Sequence, residues 1–130
     1  MTPEGRVKKK VKNILDELGA YYTMPVTGGY GNSGAPDFII CLAGWFYGIE
    51  CKANGGKATA LQMKHHDDIR KAGGIALIVD ENNVVNLRKE LLSYVQSKRN
   101  SDPSQQGKDN QGSGEGHKVK RGVRVLRALD

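Results

Sequence analysis

Residues 36–52 read PDFIICLAGWFYGIECK. Two apolar runs, Phe38–Leu42 and Trp45–Cys51, flank Ala43 and Gly44. β-branched and aromatic residues on either side of a two-residue break predict a β-hairpin. Three charges interrupt it: Asp37 opens the first run, and Glu50 and Lys52 close the second. Side chains alternate faces along a strand, so Glu50 and Lys52 share one face and Ile49 and Cys51 the other. A turn at Ala43 and Gly44 brings Asp37 back beside Glu50. One hairpin then holds two carboxylates and an ammonium at one point. Two carboxylates that close repel, and one pKa rises unless a cation lies between them. A hard divalent cation takes such oxygens, and the Cys51 carbonyl adds a third. It would polarise a phosphate and activate water, while Lys52 would oppose charge building up on the phosphate. The alternative is a surface ion pair of Glu50 with Lys52, with Asp37 as a turn residue.

The flanking sequence supplies helices. Thr2 can cap a first helix that Pro3 begins and Gly19 ends, with Val7, Val11, Ile14, Leu15 and Leu18 on one stripe. Glu4, three residues before Val7, falls on that stripe, where it serves either a metal site or the helix dipole. Lys8, Lys9, Lys10 and Lys12 form a basic patch on the same helix, a DNA track or a solvated face. Residues 27–36, TGGYGNSGAP, hold five Gly or Pro and read as a loop, in which Tyr30 and Ser33 are candidate contacts to a nucleic-acid strand. Thr59–Ala72 reads as a second helix. Its Thr59 and Gln62 fit a capping box, a use of Gln62 that competes with any part in the site. His65 and His66 follow without zinc-like partners. IALIV (75–79) reads as a buried strand, VVNL (84–87) as a brief one, and RKELLSYVQSK (88–98) as a last helix. The order is α-β-β-α-β-β-α: an α/β domain with a small mixed central sheet flanked by helices.

The chain has 130 residues and a formal net charge of +6, which suits one small domain with a polyanionic partner. Residues 96–130 hold eight Lys/Arg against four Asp/Glu, so most of that excess lies in the tail. Residues 101–117 contain no aliphatic or aromatic side chain and read as a flexible polar linker reaching roughly 20–25 Å. A basic segment, 118–130, follows. Cys41 and Cys51 read as reduced core residues, the N-terminus lacks a signal-peptide pattern, and no apolar run suits a membrane span. A soluble cytoplasmic protein is expected.

Taken in order, a Glu on the first helix, a Gly-rich loop, Pro36-Asp37, Glu50-Cys51-Lys52 and Gln62 on the next helix resemble the PD-(D/E)XK nucleases. The closer similarity is to the VRR-NUC (virus-type replication-repair nuclease) domain. The resemblance covers about residues 1–97; 98–117 would then be linker and 118–130 a basic tail. It implies a restriction-endonuclease-like core and an endodeoxyribonuclease dependent on Mg²⁺ or Mn²⁺. Asp37, Glu50, Lys52 and Gln62 would be catalytic, and Glu4, Asp37, Glu50 and the Cys51 carbonyl would hold metal. Lys8, Lys9, Lys12, Tyr30 and Ser33 would touch DNA. Stand-alone members resemble Holliday-junction resolvases, which implies branched DNA and a homodimer. A flap, nick or restriction-type nuclease, a non-catalytic DNA-binding module, and an RNA-binding protein driven by the tail are the alternatives.

Overall fold

In the computed structural model, residues 1–26 and 34–101 are described. The sequence-predicted linker and basic tail lie almost entirely outside them, as do Tyr30 and Ser33. Helix α1, Pro3–Leu18, starts and stops where its caps dictate: the Thr2 hydroxyl accepts from the Gly5 N–H at 2.9 Å, and Gly19 closes the helix in the left-handed region at φ 73°. Strands follow at Tyr21–Thr23 (β1), Phe38–Leu42 (β2) and Trp45–Cys51 (β3). Helix α2, Ala60–Lys71, leads to β4, Ile75–Val79. A 3₁₀ turn at Val84–Asn86 then enters α3, Leu87–Ser101. Among the described residues the sheet has four strands in the order β1-β2-β3-β4, antiparallel except for the parallel β3–β4 pair. The described residues divide at Leu92. Met1–Leu92 is one compact unit that carries the whole sheet, and the later turns of α3, from Ser93, belong to a second.

The mixed α/β architecture is the expected one, but two elements differ from expectation. Tyr21–Thr23 is a strand that pairs with β2, Tyr22 opposite Ile40. Its signal is only three residues long and sits directly behind the helix stop. The VVNL segment is helical turn instead of strand. Asp80 Oδ1 accepts from the N–H groups of Asn82 and Asn83 at 2.9 Å each, and Asn83 Oδ1 accepts from the Asp80 N–H at 2.8 Å. These side chains take the backbone bonds that a ladder would need and roll the chain into a turn.

The two faces of the sheet are packed differently. Phe38, Ile40, Tyr47, Ile49, Cys51 and Val79 point to one side and are buried together with Val7, Val11 and Leu15 of α1 and Leu87 and Leu91 of α3. Tyr22 joins them, its ring 5.8 Å from Phe38 in an edge-on arrangement. The opposite face receives α2 through Gly48. A Cβ there would lie 2.6 Å from Ile69 Cδ1 and 2.9 Å from Pro36 Cγ. A bare backbone at Gly48 therefore lets α2 and the Pro36-Asp37 segment close on the sheet together, which positions the charged residues described below.

The hairpin turn has the length that the sequence predicts. Ala43 (φ 53°) and Gly44 (φ 84°) both occupy positive φ, as a two-residue turn matched to strand twist requires. Glycine and asparagine tolerate that region and alanine does not. Ala43→Asn is expected to raise stability by roughly 0.5–1 kcal/mol, read as a higher urea midpoint at unchanged slope. Gly48→Ala is expected to lower it by about 1–3 kcal/mol through overpacking against Ile69 and Pro36. An unchanged midpoint for Gly48→Ala would show that α2 does not seat there.

Candidate active site

Register places the charges. Phe38 pairs with Ile49, so Asp37, one residue before β2, comes opposite Glu50 on β3. Asp37 Oδ2 accepts from the Cys51 N–H at 2.7 Å, which ties the carboxylate to the end of β3. The Lys52 N–H donates to the Val79 carbonyl at 2.9 Å, carrying the β3–β4 ladder one residue past the strand. The Lys52 ammonium lies 3.8 Å from Glu50 Oε2. Asp37, Glu50, Thr59, Leu61 and Gln62, with Gly34 and Ala35, line a cleft of about 310 Å³. Gly34 closes one wall by backbone contact with α2: a Cβ on it would lie 2.6 Å from Leu61 Cγ.

Glu50 is 3% exposed, and its Oε1 has no hydrogen-bond partner among the described residues. Burial first, and then the negative charge of Asp37, push its pKa from 4.5 to about 7, against the opposing pull of Lys52. The rise that two facing carboxylates imply is therefore present, and it falls on Glu50.

Gln62 resolves a conflict that the sequence leaves standing. Its Oε1 accepts from the Thr59 N–H at 2.9 Å, and its own backbone N–H donates to Thr59 Oγ1 at 3.1 Å, which completes the capping box. Its Nε2 donates to Glu50 Oε2 at 3.0 Å. The two roles do not compete, because the amide gives its oxygen to the helix cap and its nitrogen to the carboxylate. The cap thereby fixes the amide orientation, so that a donor faces Glu50.

The α1 residues separate. Glu4 is 3.6 Å from Lys8, and Lys8 is 3.4 Å from Asp37 Oδ1. Burial works against the Lys8 ammonium, but Asp37 and then Glu4 outweigh it, and its pKa is raised. Lys8 thus turns toward the acids, while Lys9, Lys10 and Lys12 are exposed. Glu4 is not buried: its side chain is 42% exposed, at the rim, although its charge still reaches Glu50. The Glu4–Lys8 pair was readable in principle, since the two stand four apart on one helix face, but the reach of Lys8 to Asp37 was not.

Three further residues remain, of which Cys41 and His66 depart from what their sequence context suggests. Cys51 is fully buried, and burial and then Asp37 drive its thiol pKa upward, so its sulfur is inert and its backbone N–H is what the site uses. Cys41, expected in the core, is exposed, because it lies on the sheet face that only α2 covers. His66 is fully buried, neither ring nitrogen has a hydrogen-bond partner among the described residues, and burial followed by Arg70 lowers its pKa. Among the described residues no group of three or more His, Cys, Asp or Glu could hold a metal ion. No helix among them is long and apolar enough to cross a membrane.

The raised pKa of Glu50 has a consequence for stability in the metal-free protein. An acid that holds its proton more tightly when folded adds nothing against stability below its unfolded pKa of about 4.5; the penalty grows as pH rises and is complete above about 7. Glu50→Gln keeps an acceptor for Gln62 and removes the charge. In EDTA it is expected to match the parent near pH 4.5 and exceed it at pH 8 by roughly 1–3 kcal/mol, measured by urea melts across that range. A variant no more stable than the parent at pH 8 would show that Glu50 ionises without cost.

No protein-family model matches the chain, and no curated protein sequence matches it. A solved structure described as a VRR_NUC domain does, with a TM-score of 0.58 and 29% sequence identity, over 68% of this chain and 97% of that one. Nearly the whole of that domain is thus accounted for by this fold, and the folded core of the chain resembles a VRR-NUC domain in fold and in sequence.

Proposed function

We propose that this chain is a DNA endonuclease that hydrolyses phosphodiester bonds with Mg²⁺ or Mn²⁺ and acts on branched DNA of the four-way-junction kind. Likeness to a VRR-NUC domain supports nuclease activity in general. The observation that carries the metal-dependent reading is Glu50, a buried carboxyl that faces a second acid and keeps one oxygen without a partner among the described residues. A structural ion pair with Lys52 needs no second acid beside it.

The donor set fits a hard divalent cation. Asp37 and Glu50 supply carboxylate oxygens, the Cys51 carbonyl is the third candidate, and Glu4 at the rim would act through water. Mg²⁺ is commonly held by one or two carboxylates and several waters, so a cluster of three protein acids is not required. Such an ion, when bound, polarises a phosphate and lowers the pKa of its water. The protein residues do the rest. Lys52 brings an ammonium beside the acid pair, where it opposes negative charge developing on the phosphate. Gln62 keeps Glu50 Oε2 occupied and leaves Oε1 as the oxygen to offer. The Cys51 N–H fixes Asp37. Lys9 and Lys12 on α1, with Tyr30 and Ser33 of the loop, are proposed to meet the DNA backbone. The nuclease domain would span residues 1–97, with 98–117 tethering a basic tail. Resolving a four-way junction takes two matched incisions, which a twofold homodimer supplies.

The test is cleavage of labelled duplex, single strand, flaps, a fork and an immobile four-way junction, each with EDTA, Mg²⁺ and Mn²⁺. Paired symmetric cuts in the junction are expected with metal and none with EDTA. Asp37→Ala and Glu50→Ala are expected to lower the rate by about 10³-fold or more with folding retained by circular dichroism. Lys52→Ala should cut the rate severely while DNA affinity holds. Intact DNA binding without cutting of any substrate would make the chain a non-catalytic binding module, and substantial metal-dependent cutting by Glu50→Ala would remove Glu50 from the site.

A further inference from the structure

Both oxygens of Asp37 are already engaged in the folded chain. Oδ2 takes the Cys51 N–H at 2.7 Å, a backbone bond fixed by the end of β3. Oδ1, the oxygen with no backbone commitment, has the Lys8 ammonium 3.4 Å away. The same ammonium lies 3.6 Å from Glu4 Oε2, so it bridges two acids that come from different parts of the chain. Among the described residues the ion pairs of the site then divide by partner: Lys52 serves Glu50, and Lys8, reaching in from α1, serves Asp37 and Glu4.

A divalent ion and an ammonium are both drawn to these oxygens, and each repels the other. Two unit charges 4 Å apart interact by about 1 kcal/mol in bulk water and about 4 kcal/mol near a protein surface, and a divalent ion doubles the repulsion. An ion that uses Asp37 must therefore either displace Lys8 or bind against its charge. In the metal-free protein, by contrast, Lys8 offsets the repulsion among Asp37, Glu50 and Glu4.

We infer that Lys8 is a positioning residue, the resident counter-cation of Asp37 and Glu4, which holds the acid pair together without metal and gives up Asp37 Oδ1 when a divalent cation binds. This departs from a phosphate contact on a basic helix face, the role that the run Lys8–Lys10 first implies, and it rests on the metal-dependent reading above. The length of the lysine arm suits the exchange. Its ammonium can withdraw toward Glu4, one helical turn away, while the helix stays in place.

The experiment is a calorimetric titration of the metal-free full chain with MnCl₂ in the absence of DNA. Lys8→Met is expected to bind Mn²⁺ at least about fivefold more tightly than the parent. Lys8→Arg, which keeps the charge, should restore parental affinity, and Lys10→Met, one charge fewer on the exposed side of α1, should leave it unchanged. In EDTA the Lys8→Met protein should melt lower than the parent, and added Mn²⁺ should close the gap. If Lys8→Met does not fold, Lys8→Gln is read in the same way. Parental or weaker Mn²⁺ affinity in the uncharged variant overturns the inference. So does a DNA-binding salt slope that falls by about one with Mn²⁺ affinity unchanged, which makes Lys8 a phosphate contact. Glu50→Ala separates the two readings: parental Mn²⁺ binding that Glu50→Ala abolishes upholds the metal site whatever Lys8 does. Absence of Mn²⁺ binding in both the parent and Lys8→Met overturns both.

Discussion

The carboxyl of Glu50 lies in a place where water barely reaches it, and Asp37 faces it across the β2–β3 pair. A buried, uncompensated charge costs several kcal/mol, and a second like charge adds to that. Much of the remaining arrangement answers this constraint. Lys52, one residue past the end of β3, follows Glu50 by two and lands on the same face. Gln62 donates from α2, Cys51 donates its N–H to the facing acid, and Lys8 reaches over from α1. These contributions come from β3 and both flanking helices, so the site cannot be assembled by the hairpin alone. One Glu50 oxygen, Oε1, is left without a hydrogen-bond partner among the described residues.

The packing serves the same end. Gly48, two residues before Glu50, lets α2 approach closely enough for Gln62 to reach Oε2. The same bare backbone admits Pro36, which fixes where Asp37 begins. A larger residue at 48 would push on both partners at once. The backbone at Gly48 and the side chain at Glu50 are in that sense one feature. The parallel β3–β4 pairing continues through the Lys52 N–H to Val79, so Lys52 leaves the sheet from a bonded position and not from a free end.

How much of this could be read in advance varies with the range of the interaction. The hairpin, its two-residue turn, the caps of α1 and α2 and the meeting of Asp37 with Glu50 all depend on neighbours in sequence or on strand alternation, and they were legible. The Tyr21–Thr23 strand was not, because three residues carry no periodicity and only the pairing with β2 makes them extended. Val84–Asn86 misled because β-branched residues favour strand, whereas the Asp80 and Asn83 side chains take the local backbone bonds first. The burial of His66 and the direction of Lys8 depend on what packs across from them, which no local pattern encodes. The alternation rule cannot say which acid carries the raised pKa either, since that depends on depth, and Asp37 is more exposed than Glu50.

Gln62 shows why weighing single roles against one another can fail. A capping box and a site contact look exclusive when a side chain is treated as one valence. An amide has two ends of opposite polarity, and here each end has one partner. The consequence is mechanical. The first turn of α2 and the orientation of the Glu50 carboxyl are linked through one rigid planar group, so fraying of that turn would release Glu50. Conversely, whatever holds Glu50 in its ionised form strengthens the bond from the Gln62 amide, since hydrogen bonds to charged acceptors are stronger than neutral ones. Helix cap and acid pair therefore stabilise each other, and order at the N-terminus of α2 becomes part of the site's chemistry.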